Sequence, residues 1–598
     1  MKRDLGIKLG KSFEFRGDIY KLFVVLIFIL LGSRMVYLQV VKKDKYQYLS
    51  KRNRVKLRKV DAERGNIYDS NGELIVTNTL GYRLVYLDQR TINEEQLKEM
   101  SDVTGYSVEY LKKRVKYGEI VPYTKENILI EDLDLEVAHK LMEKLTDYPY
   151  LEVQSYSKRK YIYDSLAAHT IGYVKKITAR EYENLKDKGY SPRDVIGKNG
   201  VEKVYDYQMK GKPGYDYIEV NALNKAQKIE KSKNPVPGYN LHLSIDMRLQ
   251  RDMEKIFKDE DLTGSLIALD AQTGEIITMV SYPTYSLKTF SSKISQKEWN
   301  SIINDPRRPL TNKSIAGEYP SGSTFKPFSA FAFFNNGLDP KHQIFDNGYY
   351  KIGKWKWKAW KHGGHGYVDF DKSIVESVNP YYYKYADEYG HEPIVEVAGE
   401  FGYGKLTGID IYGEKSGVLP SEKWKYKRFK QGWYKGDTIN LSIGQGYLLA
   451  TPLQVAVSYM GLANRGKAYV PHVVKYLENG KDKINIKPEI LFNNKFPSWY
   501  YNDLNTAMIH TVEKKDGTAK KLRTPGLTVA AKSGSAQNTK YKKTHAWIAG
   551  YFPADKKPEV VFTVILEGAG GGGSMAGGVA KKFIDKYLEY YGKEKKWI

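Results

Sequence analysis

Hydrophobic positions change period several times along this chain, and each change marks an element. Leu22–Val41, LFVVLIFILLGSRMVYLQVV, is a nearly unbroken apolar run, about long enough for one crossing of a hydrocarbon core. Arg34 interrupts it, and a charge at mid-membrane costs on the order of 2.5–3.5 kcal/mol unless it snorkels or meets a partner. No small-x-small cleavage pattern follows, so the run predicts an uncleaved anchor over residues 19–41 rather than a signal peptide. Basic residues flank both ends. Long domains translocate largely regardless of charge, so the flanks leave a C-terminal part outside the cytoplasm allowed.

After the anchor, RNRVKLRKV (Arg52–Val60) alternates imperfectly, and Asn71-Gly72 between two β-prone runs predicts a hairpin. Apolar positions recurring at three and four predict helix over about residues 92–146. Residues 160–225 are irregular and glycine-rich, so 42–235 reads as an elongated α+β module. Asn234-Pro-Val-Pro-Gly238 punctuates the chain as a linker does. Beyond it, Gly264–Pro283 reads as strand, turn at Gln272-Thr-Gly274 and strand, and His545–Gly570 as a second pair. Between them lie helical stretches, one after Ser323 and one over Thr451–Gly466. Strands at both ends with helices between predict one domain, 236–598, whose sheet is completed by distant segments. Residues 1–18 then form a cytoplasmic tail.

Composition narrows the function. The 598 residues are 41% hydrophobic and 28% charged, enough for large cores and against disorder. A net charge of +25 invites nucleic acid. The basic residues are scattered, however, with neither zinc-finger spacing nor an RNP-like aromatic stretch, so nucleic-acid binding is set aside. A cell-envelope protein facing anionic lipids and polymers accounts for the charge. The absence of cysteine removes disulfides, thiolate catalysis, cysteine-ligated metals and a lipoprotein anchor.

The chemistry concentrates in YPSGSTFKPFSA (Tyr319–Ala330). If a helix starts near Ser323, Lys326 falls on the same face and its amine can reach the hydroxyl. A lysine desolvated by apolar neighbours has a lowered pKa and can serve as the base a serine needs. S-x-x-K alone is a weak pattern. Two later boxes strengthen it: Ser377-Val-Asn379, read as a loop before a helix, and Lys532-Ser-Gly534, read as the start of a strand. The order S-x-x-K, S-D-N, K-T-G is that of penicillin-binding proteins and class A β-lactamases, and here both later boxes are variants, with Val378 in the middle of the second and Ser533 in place of threonine in the third.

With these boxes go ERGNIYDSNGE (Glu63–Glu73), HTIGYV (His169–Val174), VIGKNGVEKVYD (Val195–Asp206), IALDAQTGEIITMVSYP (Ile267–Pro283) and WYKGDTINLSIGQGYLLATPLQVA (Trp433–Ala456). On these the chain resembles the class B penicillin-binding proteins over nearly all of its length past the anchor, most of all the penicillin-binding protein 2 group of the cell-elongation machinery. The resemblance implies an α+β fold: an N-terminal transmembrane helix, an elongated α+β pedestal (dimerisation-like) domain, and a C-terminal penicillin-binding domain of the serine transpeptidase/β-lactamase-like kind with a mainly antiparallel central sheet flanked by helices. It implies a D,D-transpeptidase that crosslinks peptidoglycan stem peptides through a serine acyl-enzyme, is inhibited by β-lactams and needs no cofactor. Ser323 would attack the penultimate D-alanine and Lys326 take its proton. Ser377 would relay a proton, Asn379 hold a substrate amide, and Lys532 with Ser533, Gly534 and Ser535 bind the substrate's end. The backbone N–H groups of Ser323 and Ser535 would form the oxyanion hole. Expected partners are a SEDS-type membrane glycosyltransferase, for which Arg34 is a candidate contact, and other elongation proteins. Two alternatives stay open: a regulatory activator of that glycosyltransferase with little catalysis of its own, and a β-lactam hydrolase or sensor of the same fold.

Three further patterns are read as structural. Gly568–Gly573 matches G-x-G-x-x-G, but too little chain follows for the acidic strand of a dinucleotide site, so a packed turn is expected. Asp346 and His365 match two zinc ligands of some relatives, whereas Ala359 and Val378 stand at the other two, so no metal is expected. KIGKWKWKAWKHGGHG (Lys351–Gly366) reads as an exposed hairpin with one packed face, and Glu63-Arg64-Gly65 as a structural joint.

Overall fold

The computed structural model describes residues 10–46, 55–86, 93–120, 127–144, 151–220, 226–292 and 294–595. Residues 1–9 of the expected tail and Arg52–Arg54 of the alternating run lie outside them. The chain divides into two compact units: Met1–Ala62 with Gly81–Tyr156 and Lys212–Val236, and Glu63–Leu80 with Ser157–Gly211 and Pro237–Ile598.

The first unit begins with the helix Gly10–Val36, continued by a π-helical turn over Tyr37–Val41. Gly17–Val41 is long and apolar enough to cross a bilayer, and none of it is buried against the protein. Strands Val55–Val60, Gly214–Val220 and Ala226–Lys233 form an antiparallel sheet. The stretch expected to be helical holds helices Glu94–Thr104, Val108–Ile120 and Leu135–Lys144, but a strand, Asn127–Leu133, interrupts it. There Ile128 and Ile130 pair with Val85 and Leu84. Leu129 and Ile130 are both fully buried, so a neighbouring strand and a shared core override the helical reading of NILIEDL.

In the second unit, Ile67–Tyr68 and the start of Leu74–Tyr86 form the hairpin expected at Asn71-Gly72. Gly72 takes φ +81°, and Asp69 Oδ1 accepts from the N–H groups of Asn71 and Glu73. Glu63–Leu80 and Ser157–Gly211, placed by sequence with the pedestal, fall in this unit, where Ile67 pairs with Leu241 and a buried charge cluster ties the two segments to each other. Arg64 meets Glu202 at 2.6 Å and Asp206 at 2.7 Å, and Arg159 meets Glu202 at 2.7 Å. Glu202 is wholly buried. Arg159 also donates to Gly65 O and Asn78 Oδ1, and Asp206 accepts from Tyr190 OH and Gly197 N. Gly65 is obligatory, since a Cβ would stand 1.7 Å from Tyr239 O.

The central sheet is wholly antiparallel and has five strands: β1 (Gly264–Asp270), β2 (Ile276–Tyr282), β3 (Ala530–Ala536), β4 (His545–Phe552) and β5 (Val560–Leu566), in the order β2-β1-β5-β4-β3. Both expected strand pairs are present. Alternate residues enter two cores: Ile267, Leu269, Trp547, Ala549 and Ile565 pack on one face with Phe328 and Tyr459, and Leu266, Ala268, Ile548, Phe562 and Val564 on the other with Phe257 and Phe583. Burial on both faces explains why these strands read as continuous apolar runs. The helix expected over Thr451–Gly466 is Pro452–Ala463, buried throughout and started by a Thr451/Gln454 capping box.

Candidate active site

The segment Tyr319–Lys326 is built as a rigid turn. Tyr319 bridges Ala450 with reciprocal N–H to carbonyl bonds, and Trp547 Nε1 donates to Pro320 O at 3.0 Å. Gly322, at φ +56°, donates to Gly444 O at 2.9 Å. Gly444 must be glycine, since a Cβ would stand 2.3 Å from Gly322 O. That contact gives the block Trp433–Ala456 its purpose: its SIGQG segment props the turn that carries Ser323, and Ser442 O accepts from Ser329 Oγ at 2.8 Å. Residues Gly322–Phe325 form a 3₁₀ turn that runs into helix α1 (Lys326–Asn335). Ser323 is half-buried in the turn, whereas Lys326 to Phe334 are all buried. A helix apolar on every side sits in a core, and Lys326 is its one cation.

The amine of Lys326 lies 2.7 Å from Ser377 O, 2.7 Å from Asn379 Oδ1 and 3.2 Å from Ser377 Oγ. It also stands 5.1 Å from the ring centre of Tyr382, on helix α2 (Asn379–Tyr389). Lys532 Nζ donates to Ser377 Oγ at 2.9 Å and to Ser533 O at 3.0 Å. The Ser377 hydroxyl is therefore held between two lysines. Its backbone is left-handed, φ +56°, an uncommon state for a residue with a side chain and typical of functional turns. Val378, the variant middle position of the second box, is fully buried; it faces the core, so an apolar side chain suffices there.

Among the described residues no hydrogen bond joins Ser323 Oγ to Lys326, whose amine is turned toward Ser377 and Asn379. The electrostatics nonetheless suit a base. Burial holds Lys326 well below its ordinary 10.5, and the charge of Lys532 pushes the same way. Burial alone brings Lys532 down to about 7.

Lys532, Ser533, Gly534 and Ser535 lie mid-strand on β3, not at its start. Among the described residues β3 pairs only with β4 and ends the sheet, so its outer edge offers backbone donors and acceptors to an extended peptide. The edge lies against the turn that carries Ser323. A Cβ on Gly534 would stand 3.1 Å from Thr324 Cγ2, and one on Gly322 3.0 Å from Ser535 O. Ser323 and Ser535, expected as oxyanion donors, thus belong to backbones in contact. Ser535 is exposed, and its Oγ accepts from Gly572 N at 3.2 Å. Ser533 Oγ donates to Thr518 Oγ1 at 2.8 Å. Thr518, in DGTAK, carries no recognisable spacing and is the site contact that sequence reasoning missed.

Residues 264–586 match the penicillin binding protein transpeptidase domain and residues 59–243 the penicillin-binding protein dimerisation domain. The chain is 35% identical to the peptidoglycan D,D-transpeptidase MrdA of Haemophilus influenzae, over 93% of this chain and 89% of that protein. This chain is a penicillin-binding protein of the transpeptidase family. MrdA of Escherichia coli is 31% identical, over 93% of this chain and 91% of its own. Among solved structures, penicillin-binding protein 2 of Helicobacter pylori in complex with MreC superposes with a TM-score of 0.81 at 32% identity, covering 90% of this chain and 99% of that one. A structure titled for the coordination of polymerization and crosslinking by a peptidoglycan synthase complex gives 0.71 at 26% identity, covering 96% and 98%.

The remaining sequence patterns of this penicillin-binding protein resolve structurally. His365 Nδ1 and Asp346 Oδ2 are 2.6 Å apart and fully buried. Neither Ala359 nor the buried Val378 brings a donor, so the residues do not make a four-coordinate zinc set. Tyr349–Ile352 and Trp355–Lys358 form the expected hairpin, with Tyr350, Ile352 and Trp357 packed on the core. The glycine run is a tight turn: a Cβ at Gly572 would stand 2.0 Å from Gly534 O, and one at Gly573 1.8 Å from Thr518 O.

Proposed function

We propose that Ser323 is the nucleophile with which this membrane-anchored peptidoglycan D,D-transpeptidase crosslinks stem peptides. The observation that carries the reading is the relay Lys326–Ser377–Lys532, a buried amine of lowered pKa and a second cation joined through one hydroxyl. Lys326 takes the Ser323 proton as Oγ bonds to the carbonyl carbon of the penultimate D-alanine. The oxyanion turns to the N–H groups of Ser323 and Ser535, a contribution of about 3 kcal/mol per donor. The C–N bond then breaks, and the proton passes through Ser377 to the departing D-alanine amine. A neighbouring stem peptide's amine attacks the acyl-enzyme, forming the crosslink and restoring Ser323. Asn379 supports the substrate amide, and Lys532 with Ser533 the terminal carboxylate.

The catalytic unit works on the outer face of the cytoplasmic membrane, where the polymer lies, and the anchor fits that reading. One relative solved in complex with MreC and another solved in a peptidoglycan synthase complex support a place in an elongation assembly with a SEDS-type glycosyltransferase.

The test is release of D-alanine from uncrosslinked strands by the detergent-solubilised full chain. Its kcat/KM is expected to be bell-shaped. The rate climbs with pH as Lys326 loses its proton, well below 10.5. It falls above about 7 as Lys532 loses the charge that holds the carboxylate. A rate still rising at pH 10 contradicts both assignments, and D-alanine release by Ser323→Ala contradicts the nucleophile.

A further inference from the structure

The carboxylate subsite expected from the third box contains Ser533 and Lys532, and the structure adds a second hydroxyl. Thr518 Oγ1 accepts from Ser533 Oγ at 2.8 Å and donates to Val375 O at 3.2 Å. Val375 O also receives the backbone N–H of Thr518, at 3.2 Å. The Thr518 hydroxyl can therefore swing away while that carbonyl keeps a partner, so turning it toward an incoming anion leaves no acceptor bare.

The placement of Thr518 is closely determined. Ala519 N donates to Thr511 O, and Gly517 has no room for a Cβ, which would stand 2.2 Å from the same oxygen. On the other side Gly573 touches Thr518 O, and its Cβ position is 3.8 Å from Ser533 Cβ. The glycine loop is itself pinned where Lys521 Nζ donates to Ser574 O at 2.9 Å. The glycine run that mimics a dinucleotide fingerprint thus clamps a threonine beside the third box. Thr518 is half-buried, with its hydroxyl against that of Ser533.

We infer that Thr518 is a specificity-determining residue, whose hydroxyl joins those of Ser533 and the ammonium of Lys532 in recognising the terminal carboxylate of the substrate. The inference rests on the reading of Ser323 as nucleophile and Ser533 as carboxylate ligand. A carboxylate has about four acceptor positions, and two hydroxyls with one ammonium fill most of them.

The experiment compares acylation of the detergent-solubilised full chain by benzylpenicillin and by its methyl ester, which lacks the anionic carboxylate. Thr518→Val is expected to lower the acid-to-ester ratio of acylation rate constants about tenfold, the size of one hydrogen bond to a charged group. Thr518→Ser, which keeps the hydroxyl, is expected to restore the ratio to within about twofold. An equal slowing of acid and ester shows packing only and overturns the inference, as does a ratio unchanged by the substitution. If Thr518→Val does not fold, Thr518→Ala serves for the same ratio. A parent acylated by neither compound overturns the nucleophile reading, and the inference with it. A parent acylated by both whose ratio ignores Thr518 overturns the inference alone.

Discussion

Lys326→Ala is expected to slow acylation of Ser323 by roughly 10³-fold or more, within the range that general-base catalysis contributes. Serine oxygen is a poor nucleophile until a base takes its proton. The amine is fully buried, bonded to Ser377 and Asn379, and held below its ordinary pKa by that burial. Its surroundings do not fit a mere counter-charge: the charge that acts on it is another lysine, linked through Ser377 Oγ. Lys326→Arg separates the roles. Arginine keeps a cation but cannot lose its proton in the working range, so it should be nearly as inactive as alanine. Stopped-flow acylation by a chromogenic β-lactam measures both variants. An arginine variant that keeps a tenth or more of the parent rate would show that charge, not proton transfer, is what Lys326 supplies.

Arg64→Ala is expected to cost about 3–5 kcal/mol of stability, because it takes one of two guanidiniums from a carboxylate with no exposure to water. Glu202 is held by Arg64 and Arg159 together, and these hold its pKa down against burial. Removing Arg64 leaves Asp206 without its guanidinium as well. Arg64→Lys should recover only part of the loss, since an ammonium cannot span Glu202 and Asp206 with the two-pronged geometry seen here. The measurement is thermal unfolding of the full chain. An alanine variant that unfolds at the parent temperature would show that the cluster contributes nothing net.

Elements governed by local pattern were legible in the sequence. The apolar anchor run, the hairpin at Asn71-Gly72, the strand pairs around Gln272–Gly274 and His545–Gly570, and the helix after Thr451 all follow from periodicity and turn chemistry. The three boxes were legible because their order and residue types are chemically specific. What was not legible depends on distant contacts. Asn127–Leu133 is a strand because its neighbour is one. Glu63–Leu80 is tied to Ser157–Gly211 by ion pairs between residues 138 and 142 apart in sequence. Thr518 matters because it touches Ser533, which no spacing along the chain reveals. The glycines near Gly573 looked like a ligand loop because sequence shows that small residues are required, not that the requirement comes from Gly534 O and Thr518 O.

The most direct test of the account is the intact mass of the full chain after incubation with benzylpenicillin, beside a Ser323→Ala control. The account predicts a single stable adduct of one drug molecule on the parent and none on the control. An adduct that persists in Ser323→Ala would contradict it, as would drug consumed with the parent left unmodified, the behaviour of a hydrolase.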